Sequence, residues 1–412
     1  VTEPRRSAII EGMTLHLEHL QNAINKLAEL HSSEPSLDRA SAVLRLRKAL
    51  PTLDRETLSV AVDSYFSRSH AANKLGAWAE RGFFSNELLE QASRHFISKY
   101  RAEFFKGLSN VLEIGTGTGT DTANLAQVAK HVTSIEADPL RATLAAENLR
   151  VQGISNITII NGEFSDIIKR LDLAEFDGLF ADPARRTRSG VRVRDSSDYS
   201  PPLESLVNLA IGKIRAIKVS PGLFFQPPTP EWRRHFIGVG AECLEQTLLF
   251  GAPIVDSSVH LADSDISWHP SDSSPLSELA QDNLAGYISE AHALINRSQH
   301  LARFFSELGI YQIAQEVAYG VSSKKPPPSP LLDSFRIIDS GAFSASKLKS
   351  LLHALGWSNR TEFKKRNCSI DLEDLQISLK LPAHTHSSPF GTVFIFKWRG
   401  EHTMVLAERL SE

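Results

Sequence analysis

The run Val111-Leu112-Glu113-Ile114-Gly115-Thr116-Gly117-Thr118-Gly119-Thr120-Asp121 constrains this chain more than any other. A short apolar segment flanks an acid, and three alternating glycines then lead into a helix-length stretch. Glycine lets the backbone turn tightly and lets a ligand approach without a Cβ in the way. The spacing alone suits several nucleotide-like ligands, or a mere turn. Its surroundings narrow the choice. Glu136 closes the next β-branched run about 20 positions on, where a carboxylate can accept hydrogen bonds from both hydroxyls of a ribose. Asn161-Gly162-Glu163-Phe164 closes a third run, where an acid beside an aromatic ring can hold an adenine. Asp182-Pro183-Ala184-Arg185 closes a fourth. Runs at 110–114, 131–136, 156–161, 176–181 and 214–220 alternate with helix-length segments, which predicts a doubly wound parallel sheet.

Upstream, Leu17, Leu20, Ile24, Leu27 and Leu30 recur at three- and four-residue steps, the period of one helix face. Ser32–Ser36, Pro51 and Gly82 mark helix boundaries. The expected organisation is a helical domain over 1–109, an α/β catalytic domain over 110–280, a segment with a stiff proline-rich linker over 281–330, and a small α+β domain over 331–412. Glu242–Phe250 and Ser257–Leu261 read as two antiparallel strands, and 262–275 as a solvated loop. In the last domain, strands are expected at 335–338, 362–366, 392–398 and 401–407, with a helix over 344–355.

Hydrophobic residues make up 42% of the chain and charged ones 23%, which excludes wholesale disorder and a collagen-like repeat. No run approaches the roughly 20 apolar residues of a membrane helix, and the first residues do not read as an apolar leader. Two cysteines, Cys243 and Cys368, suit a reducing compartment and cannot build a thiolate zinc cluster. His384-x-His386 lacks a further ligand at suitable spacing, so no metal is expected. A soluble, cytoplasmic protein is the expectation. The net charge is −3, with a slight basic excess at both ends and an acidic middle.

Glu113 bears on the ligand. A carboxylate at the glycine loop repels a pyrophosphate but suits the cationic amino-acid end of S-adenosylmethionine. The ordered set Glu113, glycine loop, Glu136, Glu163-Phe164 and Asp182–Arg185 resembles the class I S-adenosylmethionine-dependent methyltransferases over roughly residues 110–261. The resemblance implies a Rossmann-like sheet of seven strands whose last two form a reversed hairpin, supplied here by 242–261. It also places Glu113, Gly115, Gly117, Gly119, Asp121, Glu136, Glu163 and Phe164 around S-adenosylmethionine. Phe83-Phe84 and Leu88–Ala92 either cover the cofactor, with Gln91 as a contact, or form helix core.

In amino-group methyltransferases of this class the loop after strand four reads Asn/Asp-Pro-Pro-aromatic. Here Ala184 replaces the second proline and Arg185 the ring, so the candidate catalytic residues are Asp182, Pro183 and Arg185, with a guanidinium in place of a stacking ring. Enzymes that methylate uridine at carbon 5 carry a similar loop but need a nucleophilic cysteine soon after strand five. Lys218-Val219-Ser220-Pro221-Gly222 stands there instead. Lys218 either orients substrate or pairs with Asp182. Arg186, Arg188, Arg192 and Arg194 follow the loop, either gripping phosphates or pairing with Asp195 and Asp198.

The layout further resembles methyltransferases with a C-terminal THUMP-like domain. The resemblance rests on Leu89–Ser93, Asp182–Arg186, Ser220–Gly222, Gly286–Arg297 as the start of a ferredoxin-like unit, and Glu362–Asn367 as a THUMP-like strand and turn. THUMP domains in related proteins bind RNA, often tRNA. The resemblance therefore implies methylation of a base nitrogen in tRNA or rRNA. Arg186, Arg188, Arg192, Lys218, Lys364, Lys365 and Arg366 are the expected RNA contacts. Two other readings fit the same residues. One is a methyltransferase of a small molecule or protein, with the C-terminal unit as lid or dimer surface. The other is a non-catalytic RNA-binding protein.

Overall fold

The computed structural model describes residues 17–185, 195–226, 228–254, 258–271, 275–280, 284–315 and 317–410. The chain divides into two compact units, one of Val1–Arg233 with Glu245–Ile254, the other of Arg234–Leu244 with Val255–Glu412.

The first unit begins with helices α1 (Leu17–Ser33), α2 (Arg39–Ala49) and α3 (Arg55–Leu75). Leu20, Ala23, Ile24 and Leu27 fall on one face of α1 and are buried. Asp38 and Asp54 cap α2 and α3 by accepting from the N–H groups of Ser41 and Thr57 at 2.9 and 2.8 Å. Short helices α4 (Asn86–Gln91) and α5 (His95–Ala102) lead to the sheet. Then follow β1 (Asn110–Ile114), α6 (Thr120–Val128), β2 (His131–Glu136), α7 (Pro139–Val151), β3 (Ile157–Asn161), α8 (Phe164–Ile167) and β4 (Gly178–Ala181). A two-stranded ribbon of β5 (Ala184–Arg185) and β6 (Tyr199–Ser200) precedes α9 (Leu203–Val207) and β7 (Ile214–Val219). Most of β8 (Trp232–Val239) belongs to the second unit, and most of β9 (Glu242–Phe250) to the first.

In this unit the strands lie in the order β3-β2-β1-β4-β7-β9. Every pairing is parallel except that of β7 with β9. Parallel sheets are covered on both faces, so their strands read as nearly continuous apolar runs; Val111, Leu112, Ile114, Leu179 and Phe180 are all buried. The α1–α3 core continues through Phe83, Phe84, Leu88 and Leu89 to Leu144 of α7. Phe83 and Phe84 are thus helix core.

The expected hairpin of 242–250 with 257–261 does not form. Strand β9 pairs with β7, whereas β10 (Ser258–Leu261) belongs to the second unit, parallel to β8 and antiparallel to β11 (Ile266–Trp268). The supposed loop over 262–275 contains β11. Strand β8 carries Trp-Arg-Arg-His before its apolar half, which hides it from a reading based on apolar runs.

The second unit continues with β12 (Tyr287–Ala291), α10 (Ala293–Ser298), α11 (Leu301–Glu307), β13 (Tyr311–Ala314), β14 (Val317–Ser322) and β15 (Leu332–Ala342). After them come α12 (Ala345–Ala354), β16 (Glu362–Arg366), α13 (Leu372–Leu379), β17 (Thr392–Trp398) and β18 (Glu401–Arg409). Seven strands form one sheet in the order β13-β14-β12-β15-β18-β17-β16, and only β16 and β17 run parallel. The proline-rich run at 325–330 joins β14 to β15 within this sheet. Along β17, Phe394 and Phe396 join Tyr319 and Phe335 on one face, while Val393 and Ile395 pack with Leu348, Leu352 and Leu375 on the other. Lys364 Nζ on β16 lies 2.6 Å from Glu290 Oε2 on β12, although three strands intervene. A flat sheet would hold those strands about 19 Å apart, so this sheet is strongly curled.

Candidate active site

Strand order reverses about β1, with β2 and β3 on one side and β4 and β7 on the other. In open α/β sheets the crevice beyond the strand ends at such a point receives the ligand. The strand-end residues singled out in the sequence, Glu113, Glu136, Glu163, Asp182 and Lys218, all stand at or beside these ends.

Gly115, Gly117 and Gly119 adopt φ of +89°, +56° and +83°, which L side chains rarely take. A Cβ on Gly115 would lie 2.7 Å from the Asp182 carbonyl oxygen, so glycine is what lets the loop pass this close. A Cβ on Gly117 would meet nothing within 4 Å and would project into open space. Asn148 anchors the loop from α7. Its side-chain amide donates to the carbonyls of Thr118 (3.0 Å) and Phe83 (2.9 Å) and accepts from Phe83 N–H (2.8 Å).

Glu113 lies fully buried rather than at the mouth of the loop. Oε2 accepts from the Thr122 hydroxyl at 2.5 Å, and Oε1 has no partner among the described residues. Burial pushes its pKa up to about 8, with the Thr122 and Ser134 hydroxyls only partly opposing. The Glu136 carboxylate accepts the N–H groups of Gly117 and Asp138, both at 3.1 Å, and burial raises its pKa against those bonds. Glu163 is exposed, and Phe164 is half-buried against the sheet core. Gln91 is exposed, bonded to Glu87 at 3.1 Å and to Arg141 at 3.4 Å.

Asp182 presents its side chain at the end of β4. Its Oδ2 accepts from Lys218 Nζ at 2.8 Å, while Oδ1 has no hydrogen-bond partner among the described residues. Of the two roles open to Lys218, the pairing with Asp182 is present. Lys218 also donates to Ser93 Oγ at 3.2 Å, and Ser93 donates to Asp121 Oδ2 at 2.9 Å. Asp121 then pairs with Arg101, which also pairs with Glu245 and donates to Ser93 at 2.9 Å. Burial alone would lower the Arg101 pKa, but Asp121 and Glu245 outweigh it and hold the guanidinium charged. Burial likewise works against the Asp121 carboxylate, yet Arg101 and Lys218 keep it below the usual range. The carboxylate of Asp121 thus serves this network.

Ser93, Arg101, Glu245 and Thr122 escaped the sequence reading as site residues. Ser93 stood inside a noted motif; the others carry no local signal. Pro183 is buried, and Ala184 and Arg185 pair with Ser200 and Tyr199. Arg186, Arg188, Arg192 and Arg194 lie outside the described residues, as does the side chain of Arg185. In the second unit Lys364 and Arg366 both donate to Glu290, at 2.6 and 3.0 Å, whereas Lys365 donates to the Ile370 carbonyl at 2.7 Å. His384 Nδ1 lies 3.1 Å from the Ser358 hydroxyl.

Residues 103–170 match the ribosomal RNA adenine dimethylase family and residues 332–409 the THUMP domain-like family. An uncharacterized S-adenosylmethionine-dependent methyltransferase of Mycobacterium tuberculosis (strain H37Rv) is 25% identical over 342 residues, spanning 78% of this chain and 88% of its own. A probable ribosomal RNA small subunit methyltransferase A of Methanothermobacter thermautotrophicus is 34% identical over 113 residues, 27% of this chain and 38% of its own. The solved structure of a putative methyltransferase from Porphyromonas gingivalis W83 superposes with a TM-score of 0.77 at 18% identity, covering 97% of this chain and 100% of its own. The chain is a class I S-adenosylmethionine-dependent methyltransferase with a THUMP-like domain.

The methyltransferase site suits its cofactor. The orphaned Glu113 Oε1 is a buried acceptor that a cationic amino group would satisfy. Open space above Gly117 admits a ligand against the backbone.

Proposed function

We propose that this methyltransferase modifies a base nitrogen of tRNA or rRNA in the cytoplasm. The observation that carries the reading is a cleft of about 1110 Å³ in the second unit. Arg297, Lys364, Arg366 and Arg409 line it against only two acids, Glu290 and Asp333. Excess positive charge inside a walled cleft attracts a polyanion. In this reading residues 110–280 carry catalysis, and the ferredoxin-like 281–330 segment with the THUMP-like 331–412 domain holds RNA. Arg186, Arg188 and Arg192 would add phosphate contacts beside the acceptor.

S-adenosylmethionine, when bound, supplies an already activated methyl group. Glu113 takes its cationic amino end, Glu136 its ribose hydroxyls and Glu163 with Phe164 its adenine, while Gly115, Gly117 and Gly119 leave room for it and Gln91 borders the site. Asp182 Oδ1 accepts a hydrogen bond from the target amine while Lys218 fixes Oδ2. The Asp182 carbonyl, left uncovered by Gly115, is a second acceptor, and Pro183 holds that peptide rigid. Two acceptors on the amine direct its lone pair toward the methyl group, and proximity and alignment provide most of the acceleration. The amine's proton passes toward Asp182 as the nitrogen becomes cationic. Arg185 would lie on the base plane in place of an aromatic ring.

The test is a Lys364→Glu/Arg366→Glu double variant. RNA affinity should fall at least tenfold with cofactor affinity unchanged. Unaltered RNA affinity would count against the cleft as the RNA site.

A further inference from the structure

We infer that the first unit holds a second anion site, outside the candidate active site, that takes the phosphate of a nucleotide unit. A cleft of about 400 Å³ opens beside α1, α3 and the last turn of α7, where Gln21, Arg68, Arg81, Phe83, Glu147 and Arg150 face it. Three guanidinium groups meet one carboxylate. Glu147 is buried and accepts a bidentate pair from Arg150 at 2.7 and 2.6 Å, which neutralises one charge. Arg68 and Arg81 have no acidic partner among the described residues.

Arg68 is held in place without being neutralised. Its Nε and Nη2 donate to the Gly82 carbonyl, both at 3.2 Å, and its guanidinium carbon lies 5.6 Å from the centre of the Phe83 ring. Nη1 has no partner among the described residues, and burial pushes the pKa of the group down. A partly buried cation without a counter-ion is unfavourable unless an anion completes it. The arginine fork matches phosphate oxygens in two-point contact. A volume near 400 Å³ falls within the range of about 300–1,000 Å³ typical of small-ligand pockets, so the site is nucleotide-sized.

The floor of the cleft is rigid and tied to the cofactor loop. A Cβ on Gly82 would lie 2.7 Å from the Trp78 ring, so the backbone at the 82–83 turn packs directly against that ring. Phe83 bonds through its N–H and carbonyl to Asn148, and the same amide holds the Thr118 carbonyl of the glycine loop. A phosphate seated on Arg68 and Arg81 is therefore fixed relative to that loop. The phosphate can belong to the RNA substrate or to a free nucleotide; the inference rests on the RNA reading only for that choice.

The test compares Arg81→Glu and Arg81→Lys with the wild type. Binding is measured to a labelled single-stranded oligoribonucleotide by anisotropy and to adenosine monophosphate by calorimetry, with S-adenosylmethionine binding as the folding control. Arg81→Glu should weaken at least one phosphate ligand tenfold or more, and Arg81→Lys should retain most of the affinity. For RNA, the slope of log K against log salt should shrink by about 0.7 for each phosphate that the variant no longer neutralises. Loss confined to RNA assigns the site to the polynucleotide backbone, and loss confined to the mononucleotide assigns it to a free nucleotide. Arg81→Glu within twofold of wild type for both ligands overturns the site. If the enzyme methylates no RNA but Arg81→Glu still impairs mononucleotide binding, the RNA reading fails and the site stands.

Discussion

Replacing Glu113 by glutamine isolates a strongly perturbed acid of the site. The group titrates near 4.5 in an unfolded chain and at about 8 in the folded one, because burial disfavours its charge. Between those values the folded chain keeps a proton that the unfolded chain has released. This contribution to stability is therefore fully present below pH 4.5 and falls as pH rises toward 8. A gap of roughly 3.5 units corresponds to a loss of up to about 5 kcal/mol. Glutamine keeps the shape and can still accept from Thr122 but cannot ionise, so Glu113→Gln should abolish this slope. Urea unfolding at pH 5.5, 7 and 8.5 should show the wild type losing several kcal/mol relative to the variant as pH rises. A cationic amino group placed against Glu113 should also ionise it. At pH 7 about nine-tenths of a group with a pKa near 8 is protonated, so cofactor binding should release close to one proton. Calorimetry in buffers of different ionisation enthalpy reads that number, and the glutamine variant should lack the release. Parallel stability curves, together with equal proton release, would show that Glu113 does not hold a proton in the folded chain at neutral pH.

Asp182→Ala should reduce methyl transfer by about 100-fold or more and leave cofactor affinity unchanged; retained turnover in a single-turnover assay would remove Asp182 from the mechanism. Gly117→Arg places a long side chain in the open space above the loop and adds about 1–2 kcal/mol of left-handed backbone strain. Calorimetry should find cofactor affinity at least 100-fold lower, and unchanged affinity would move the cofactor elsewhere. Arg101→Leu leaves Asp121 and Glu245 buried without their shared cation and should destabilise the fold by about 3–5 kcal/mol. A denaturation midpoint equal to wild type would contradict that network.

The strand ends and the glycine loop were legible because each is a local pattern: an apolar run, an acid at its end, and glycines where φ is positive. The chemistry around Asp182 was legible only in part. Arg101 looks like any basic residue of a short helix, and its partners come from positions 93, 121 and 245, brought together only by the fold. Strand pairing fails for the same reason. Nothing in 242–261 says that β9 turns to β7 while β10 joins β8. The Lys364-Lys365-Arg366 run reads as one basic patch, yet strand periodicity sends positions 364 and 366 to Glu290 and position 365 to the other face.

The most direct test of an RNA methyltransferase is transfer of labelled methyl from S-adenosylmethionine to RNA extracted from a strain lacking this gene, with protein and metabolite fractions assayed in parallel. Ribonuclease-sensitive label is expected, on a nucleoside that mass spectrometry identifies as methylated at a base nitrogen. Label confined to the protein or metabolite fraction would contradict an RNA substrate.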